Sequence, residues 1–285
     1  MKQMSGFARR GSSITSIRGV ESSGGFASLY LIAEADAESL ESVTNGSDVA
    51  INSEVADSST SYTWNAVGKI KGNGDDSEAI LLSAHMDHVG VRENAPGDDK
   101  IFNGADDDAS GCVAVLELAR IIAAGEKPRR TIYFAFFGSE ERGGFGSRFF
   151  VNTLEIPLEK LVANLQFEMI GRPDPKVGPD ELWLTGYKRS DLGSELAKTG
   201  AKIVADPHPE ENFFQRSDNI TLARRGVVAH TVSSFGLHKD YHQASDEIET
   251  IDFEYMTKSI SSMVKPVRWL ADTTWKPSWN EGMKP

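Results

Sequence analysis

The stretch Asn103-Gly104-Ala105-Asp106-Asp107-Asp108-Ala109-Ser110-Gly111 constrains this chain more than any other, because it sets three successive carboxylates between a strand-like run and a helix-like run. Neighbouring like charges repel, so a fold either leaves them in water or supplies a cation to hold them together. The first choice gives an acidic turn capping a helix that begins near Ala109, a favourable place for Asp without any metal. The second gives a metal site. What the rest of the chain places around the loop bears on which applies.

Residues 79–84 are apolar but for Ser83, which suits a strand buried on both faces, and they end in His85-Met86-Asp87-His88. Residues 109–124 carry Cys112, Val115, Leu116, Ala119, Ile122 and Ala123 at the spacing of one helix face and stop at Gly125. A second buried strand over 131–137 ends in Gly138-Ser139-Glu140-Glu141, and a third over 161–167 ends in Glu168. Further strands are expected over 63–71, 182–185, 202–205 and 226–232, and helices over 191–199, 217–224 and 252–272. This alternation predicts an α/β three-layer sandwich with a mixed, mainly parallel central sheet flanked by helices. Ligands of such sheets collect at the C-terminal ends of the strands, where His85, Glu140, Glu141 and Glu168 fall.

The 285 residues suffice for one main domain, expected over 63–285. Residues 1–62 are poorly patterned: 26–32 suits a strand, 33–43 a short helix, and 44–61 a loop. This segment reads as an excursion, or as the remnant of an upstream or lid region. Residues 1–25 lack the apolar stretch of a secretory signal, so either the protein is cytoplasmic or a signal and upstream segment are missing. The expectation is that 1–62 is the tail of a longer precursor, with localisation left open. A formal charge of -12 disfavours nucleic acid as a partner, which would need clustered Lys and Arg, and mildly favours cationic ligands. No apolar run is long enough to span a bilayer, so no membrane partner is expected. The single cysteine, Cys112, excludes an intramolecular disulfide and reads as a small packed residue.

Two residue patterns bear on chemistry. Asp87 follows His85 by two positions and offers a carboxylate to orient its imidazole, although a lone His at a strand end is more often a hydrogen-bonded or surface residue. Adjacent Glu140 and Glu141 point in different directions, so one can bind metal while the other faces a substrate. A charged turn before Gly143-Gly144 is the bland reading of the same pair.

The blocks Ala84-His85-Met86-Asp87, Gly104 to Gly111, Phe137-Gly138-Ser139-Glu140-Glu141, Phe167-Glu168-Met169-Ile170-Gly171 and Tyr241-His242-Gln243-Ala244-Ser245-Asp246 together resemble the M28 family of zinc aminopeptidases. The resemblance runs from about residue 63 to the C-terminus. It implies a zinc-exopeptidase-like fold and two zinc ions per chain sharing Asp107, one held also by His85 and Glu168, the other by Glu141 and His242. It further implies Glu140 as general base, Asp87 as the carboxylate behind His85, and Tyr241 as a hydroxyl that stabilises the oxyanion; for Tyr241 a packed aromatic beside a loop is the competing reading. Arg216, Ser217 and Asp218 resemble the family's substrate-side segment, with His238 as a further pocket residue. The implied activity is removal of N-terminal residues from a peptide substrate by a metal-bridged water.

Many family members carry Asp where this chain has Glu168, one methylene longer. His238 and His242 are four apart and suit one side of a helix, although Gly236 and the Tyr-His-x-x-x-Asp block favour His242 as the ligand. His88, His208 and His230 are expected to be structural or exposed. A glutaminyl cyclase with one zinc, a dipeptidase or carboxypeptidase of the same fold, and a non-catalytic relative stay open as alternatives. There is no Gly-x-Ser-x-Gly elbow, Walker-type loop or His-Glu-x-x-His helix. Side-chain preference and oligomeric state are not legible at this level.

Overall fold

Three strands whose residues are buried on both faces form the centre of the sheet: β2 (Ala79–His85), β5 (Thr131–Phe137) and β6 (Leu161–Phe167). A computed structural model of the protein describes residues 44, 46, 60–74 and 77–285, and every element below lies in the unit Thr63–Pro285. The strand and helix expected over 26–32 and 33–43 lie outside the described residues.

The other strands are β1 (Ala66–Ile70), the short β3 (Gly90–Val91) and β4 (Ile101–Phe102), then β7 (Leu182–Leu184), β8 (Ile203–Ala205) and β9 (Val228–Ser233). Seven of them form one sheet in the order β1-β5-β2-β6-β9-β7-β8, and β3 pairs with β4 in a separate antiparallel ribbon. The run β5-β2-β6-β9 is parallel; β1 at one edge and β7 against β9 are antiparallel. The sheet is therefore mixed and mainly parallel, as expected.

Alternation along β2 explains the layering. Ile80, Leu82 and Ala84 face one core with helices α1 (Gly111–Ala123) and α5 (Phe253–Asp272), whereas Ala79 and Leu81 face a second core with α2 (Phe145–Thr153) and α4 (Asn219–Ala223). Helix α3 (Leu192–Lys198) joins the first core through Leu192 and Leu196. In α5 the buried Met256, Ile260, Met263, Val267 and Leu270 recur every three or four residues, the stripe of a helix laid on a sheet. Its start is fixed by Asp252, whose carboxylate accepts the Tyr255 N–H at 2.9 Å.

Helix α2 and the β3–β4 ribbon do not emerge from the sequence pattern. Residues 238–246 form turns rather than the helix that the His238/His242 spacing suggests: Leu237 and His242 take positive φ of 58° and 56°, which no helix accepts. Among the described residues no helix is long and apolar enough to cross a membrane.

Candidate metal centre

Because β5, β2 and β6 run parallel side by side, their C-terminal ends deliver Glu140 and Glu141, His85, and Glu168 to one place. The acidic loop closes over it. Asp106, Asp107 and Asp108 are buried, at 0%, 2% and 2% exposure, which removes the solvated-turn reading. The loop is a wide turn closed by Ala109 N–H donating to the Gly104 carbonyl at 3.1 Å, and the Asp107–Asp108 peptide bond is cis.

The three aspartates have separate tasks. Asp106 accepts the Gly171 N–H at 2.8 Å and lies 2.9 Å from His238 Nε2. Asp108 accepts the backbone N–H groups of His85, Gly111 and Met169, each at 3.1 Å, tying β2, α1 and the end of β6 together. Asp107 faces the centre: its Oδ1 lies 3.1 Å from His85 Nε2 and its Oδ2 3.1 Å from His242 Nε2. Behind the loop, Asp246 accepts the N–H groups of Asp106 and Asp107 at 3.1 Å and an Arg172 guanidinium N–H at 2.8 Å.

Two groups of potential ligands result, His85 with Asp107 and Glu168, and His88 with Asp107, Glu141 and His242; within each, one donor atom per residue lies within 4.8 Å of the others. All five residues expected to bind metal are in these groups, with Asp107 common to both. His88, expected to be structural or exposed, stands in the second group with its side chain 6% exposed. Its place three residues after His85 was the available signal, but nothing in the spacing turned the ring inward.

Asp87 stands behind His85, with its carboxylate 3.9 Å from His85 Nδ1 and its main chain nearer. His85 Nδ1 meets the Asp87 backbone carbonyl at 2.9 Å, while the Asp87 carboxylate accepts the N–H groups of Glu140 at 2.9 Å and Glu141 at 3.3 Å. Asp87 thus orients the imidazole through its main chain and steadies the two glutamates through its side chain. Glu141 joins a ligand group and Glu140 does not.

Glu168 extends a polar ladder inside the sheet. Asn164 donates to Ser83, Ser83 to Gln166, Gln166 to Ser217, and Ser217 to Glu168. Of the expected substrate-side residues, Arg216 and Ser217 line a cleft with Glu168, Trp183, Phe213 and Tyr241. Asp218 does not line it: it is buried, with a carboxylate oxygen 3.2 Å from where a Cβ on Gly144 would lie. His238 is engaged by Asp106 and packs against Phe235, which makes it a brace of the acidic loop rather than a free pocket residue. Tyr241 stacks on His242 with centroids 3.9 Å apart. His208, paired with Asp174, and His230, paired with Ser190, are buried and structural.

The charges do not balance. Burial opposes ionisation of Asp107, but hydrogen bonds from His242 and His85 win and hold it well below the usual carboxylate range. Glu141 is likewise held down, to about 2, by His242 and His88 against its burial. Burial pushes Glu140 up to about 10 and Glu168 up to about 7, with His85 opposing and neighbouring carboxylates adding to both. Glu141 Oε1 and both nitrogens of His88 are buried without a hydrogen-bond partner. Unpartnered donor atoms, imidazoles and an excess of converging carboxylates are the donor set that divalent zinc takes.

A family model described as peptidase family M28 matches residues 65–265. A curated relative, leucine aminopeptidase 2 of Trichophyton rubrum, is 29% identical over 218 residues, covering 67% of this chain and 41% of the relative; the chain thus spans less than half of that protein's length. The fold is similar to that of a zinc aminopeptidase from Bacillus subtilis (TM-score 0.60, 23% identity, 74% of this chain and 51% of that one). It is also similar to that of a Porphyromonas gingivalis glutaminyl cyclase (TM-score 0.56, 17% identity, 71% and 76%). The family match takes in every strand end that builds the cluster, and the chain belongs to peptidase family M28.

Proposed function

We propose that this chain is a di-zinc exopeptidase that removes N-terminal residues from peptides. The observation that carries the reading is the sharing of Asp107 between two ligand groups, with Glu140 beside them and outside both. His85, Asp107 and Glu168 would hold one zinc, and Asp107, Glu141 and His242 the other. When bound, such a pair supplies Lewis acidity, which lowers the pKa of water toward neutrality and polarises the scissile carbonyl.

The protein's own groups do the rest. Glu140, whose ionised form burial alone disfavours and two bound cations would favour, would then take the proton from the attacking water and deliver it to the departing amine nitrogen. The Asp87 carboxylate holds the Glu140 and Glu141 N–H groups, so both side chains leave the turn in set directions. Burial pushes the Tyr241 hydroxyl well above its ordinary value with Asp107 adding, so it stays protonated and can donate to the carbonyl oxygen as charge develops there. Trp183, Phe213 and Phe235 form an aromatic wall suited to an apolar side chain. Among the described residues that line the cleft the one cation is Arg216, which already meets Glu211 at 3.1 Å and lies over Phe213, and this supports anchoring the substrate by its amino rather than its carboxyl end.

Glu140→Gln tests the reading. It is expected to lower kcat for aminoacyl anilides by about 10²–10⁴-fold, the worth of a positioned general base, with zinc content unchanged because Glu140 belongs to neither ligand group. Profiling free, N-acetylated and C-amidated peptides identifies the anchored end. The cyclase fold neighbour supports one other outcome: pyroglutamate formation with one zinc per chain and no hydrolysis would replace this reading.

A further inference from the structure

The two ligand groups differ in size, and the difference turns on His88. Its side chain is 6% exposed, and neither ring nitrogen has a hydrogen-bond partner. A buried imidazole without a partner is costly, and one that merely steadied a neighbouring carboxylate would donate to it. His88 Nδ1 lies 3.2 Å from Glu141 Oε1 and 3.7 Å from Asp107 Oδ2 without the alignment of a hydrogen bond to either. His242 Nε2 lies 2.9 Å from that same Glu141 oxygen and 3.1 Å from that same Asp107 oxygen. These four separations bracket the edge of a tetrahedron whose centre is bonded to nitrogen and oxygen at zinc distances, roughly 3.3 Å. The rings of His88 and His242 stand nearly perpendicular at 74°, so neither stacks over the other's donor nitrogen.

The backbone makes room for this arrangement. Gly104, at φ 68°, carries no Cβ; one placed there would meet His88 Cγ at 2.5 Å and His88 Cβ at 2.8 Å. The glycine lets the acidic loop close directly over the His88 ring, bringing it up to Asp107.

We propose that His88 is a direct ligand of the second cation, so that this position is a closed site of four protein ligands, His88, Asp107, Glu141 and His242. The position formed by His85, Asp107 and Glu168 keeps three and stays open. Closed four-ligand sites hold zinc for structure, and three-ligand sites leave a coordination position for water or substrate. The second ion would then be the more tightly held and would set the position of Asp107, and the first would be the more readily exchanged. The inference rests on the dinuclear reading above and deepens it.

Titrating chelator-stripped full-length protein with Zn²⁺ by calorimetry, with metal analysis after dialysis, tests it. Wild type is expected to take up two ions in two steps of different affinity. Removing an outer partner of a ligand already weakens metal binding about 10–100-fold, so His88→Ala is expected to weaken the tighter step by about 100-fold or more. His88→Gln serves as the second variant if His88→Ala does not fold, judged by circular dichroism, and is expected to act in the same direction. Conversely, His85→Ala is expected to abolish the weaker step and leave the tighter one. In the Co²⁺-substituted protein, the visible band of the first equivalent is expected to change in His88→Ala and not in His85→Ala. Two ions with unchanged affinities and an unchanged cobalt band in the His88 variants would overturn the proposal while leaving the dinuclear reading intact. Uptake of fewer than two ions by wild type would overturn both.

Discussion

Removing the Asp246 carboxylate probes how the acidic loop is held. Asp246 is fully buried; it accepts the Asp106 and Asp107 N–H groups and pairs with Arg172 at 2.8 Å. Asp246→Ala leaves two buried N–H groups unpartnered, each at about 1–3 kcal/mol, and breaks an ion pair whose loss costs about 3–5 kcal/mol when the remaining charge is stranded. Arg172 is not stranded, because its other guanidinium nitrogen keeps Asp240 at 2.8 Å. The stranded-charge penalty therefore falls away, the two N–H groups set the scale, and the total comes to about 2–6 kcal/mol. Urea unfolding with a chelator present measures this without a contribution from bound metal. Asp246→Asn, which keeps the shape and one acceptor, is expected to lose about 1–3 kcal/mol. Because the same carboxylate positions the Asp107 main chain, Zn²⁺ affinity is expected to fall together with stability. A loss under about 1 kcal/mol, or a full loss of stability with unchanged Zn²⁺ affinity, would refute the view that Asp246 is what presents Asp107.

Three further outcomes are expected. Ser217→Ala removes the hydroxyl that donates to Glu168 and should weaken Zn²⁺ binding at the three-ligand position by about 10–100-fold, read by calorimetry. Gly111→Ala, at the start of α1, would ordinarily gain about 1 kcal/mol of helix propensity. Here its Cβ would lie 2.3 Å from both the Phe167 carbonyl and Asp108 Oδ1, so a net loss of about 1–3 kcal/mol is expected from thermal unfolding. Burial holds His230 down at about 4, far from the cluster, so its contribution to stability is fully present above its unfolded value near 6.5 and is lost as pH falls toward 4. Between pH 7 and pH 4, wild type with chelator present should lose up to about 3 kcal/mol more than His230→Asn, and equal slopes would contradict this.

The central strands were legible because each is buried on both faces, so that burial writes a mostly apolar run at 79–84, 131–137 and 161–167, with Ser83, Asn164 and Gln166 as polar exceptions. Helices α1 and α5 were legible for the complementary reason, a single buried stripe. Helix α2 was not: its nine residues include Gly146, which packs against the Gly138 backbone, and its buried face is too short to repeat. The β3–β4 ribbon has two residues per strand and no period to read. The residues of the candidate centre were named from the resemblance and from their places at strand ends, but their orientations were not. Asp87 meets His85 through its carbonyl, Asp218 is buried and outside the cleft lining, and His238 braces Asp106.

What the chain's order of residues determined by itself is which segments become buried strands and therefore which polar residues must emerge where they end, since burial of apolar area follows directly from side-chain type. Only the tertiary structure decided which of those polar groups meet. The parallel order β5-β2-β6 brings three distant strand ends together, and the wide turn at Gly104 lowers Asp107 between His85 and His242 and over His88. Such convergence depends on strand order and on single backbone angles, and neither leaves a periodic mark in the sequence.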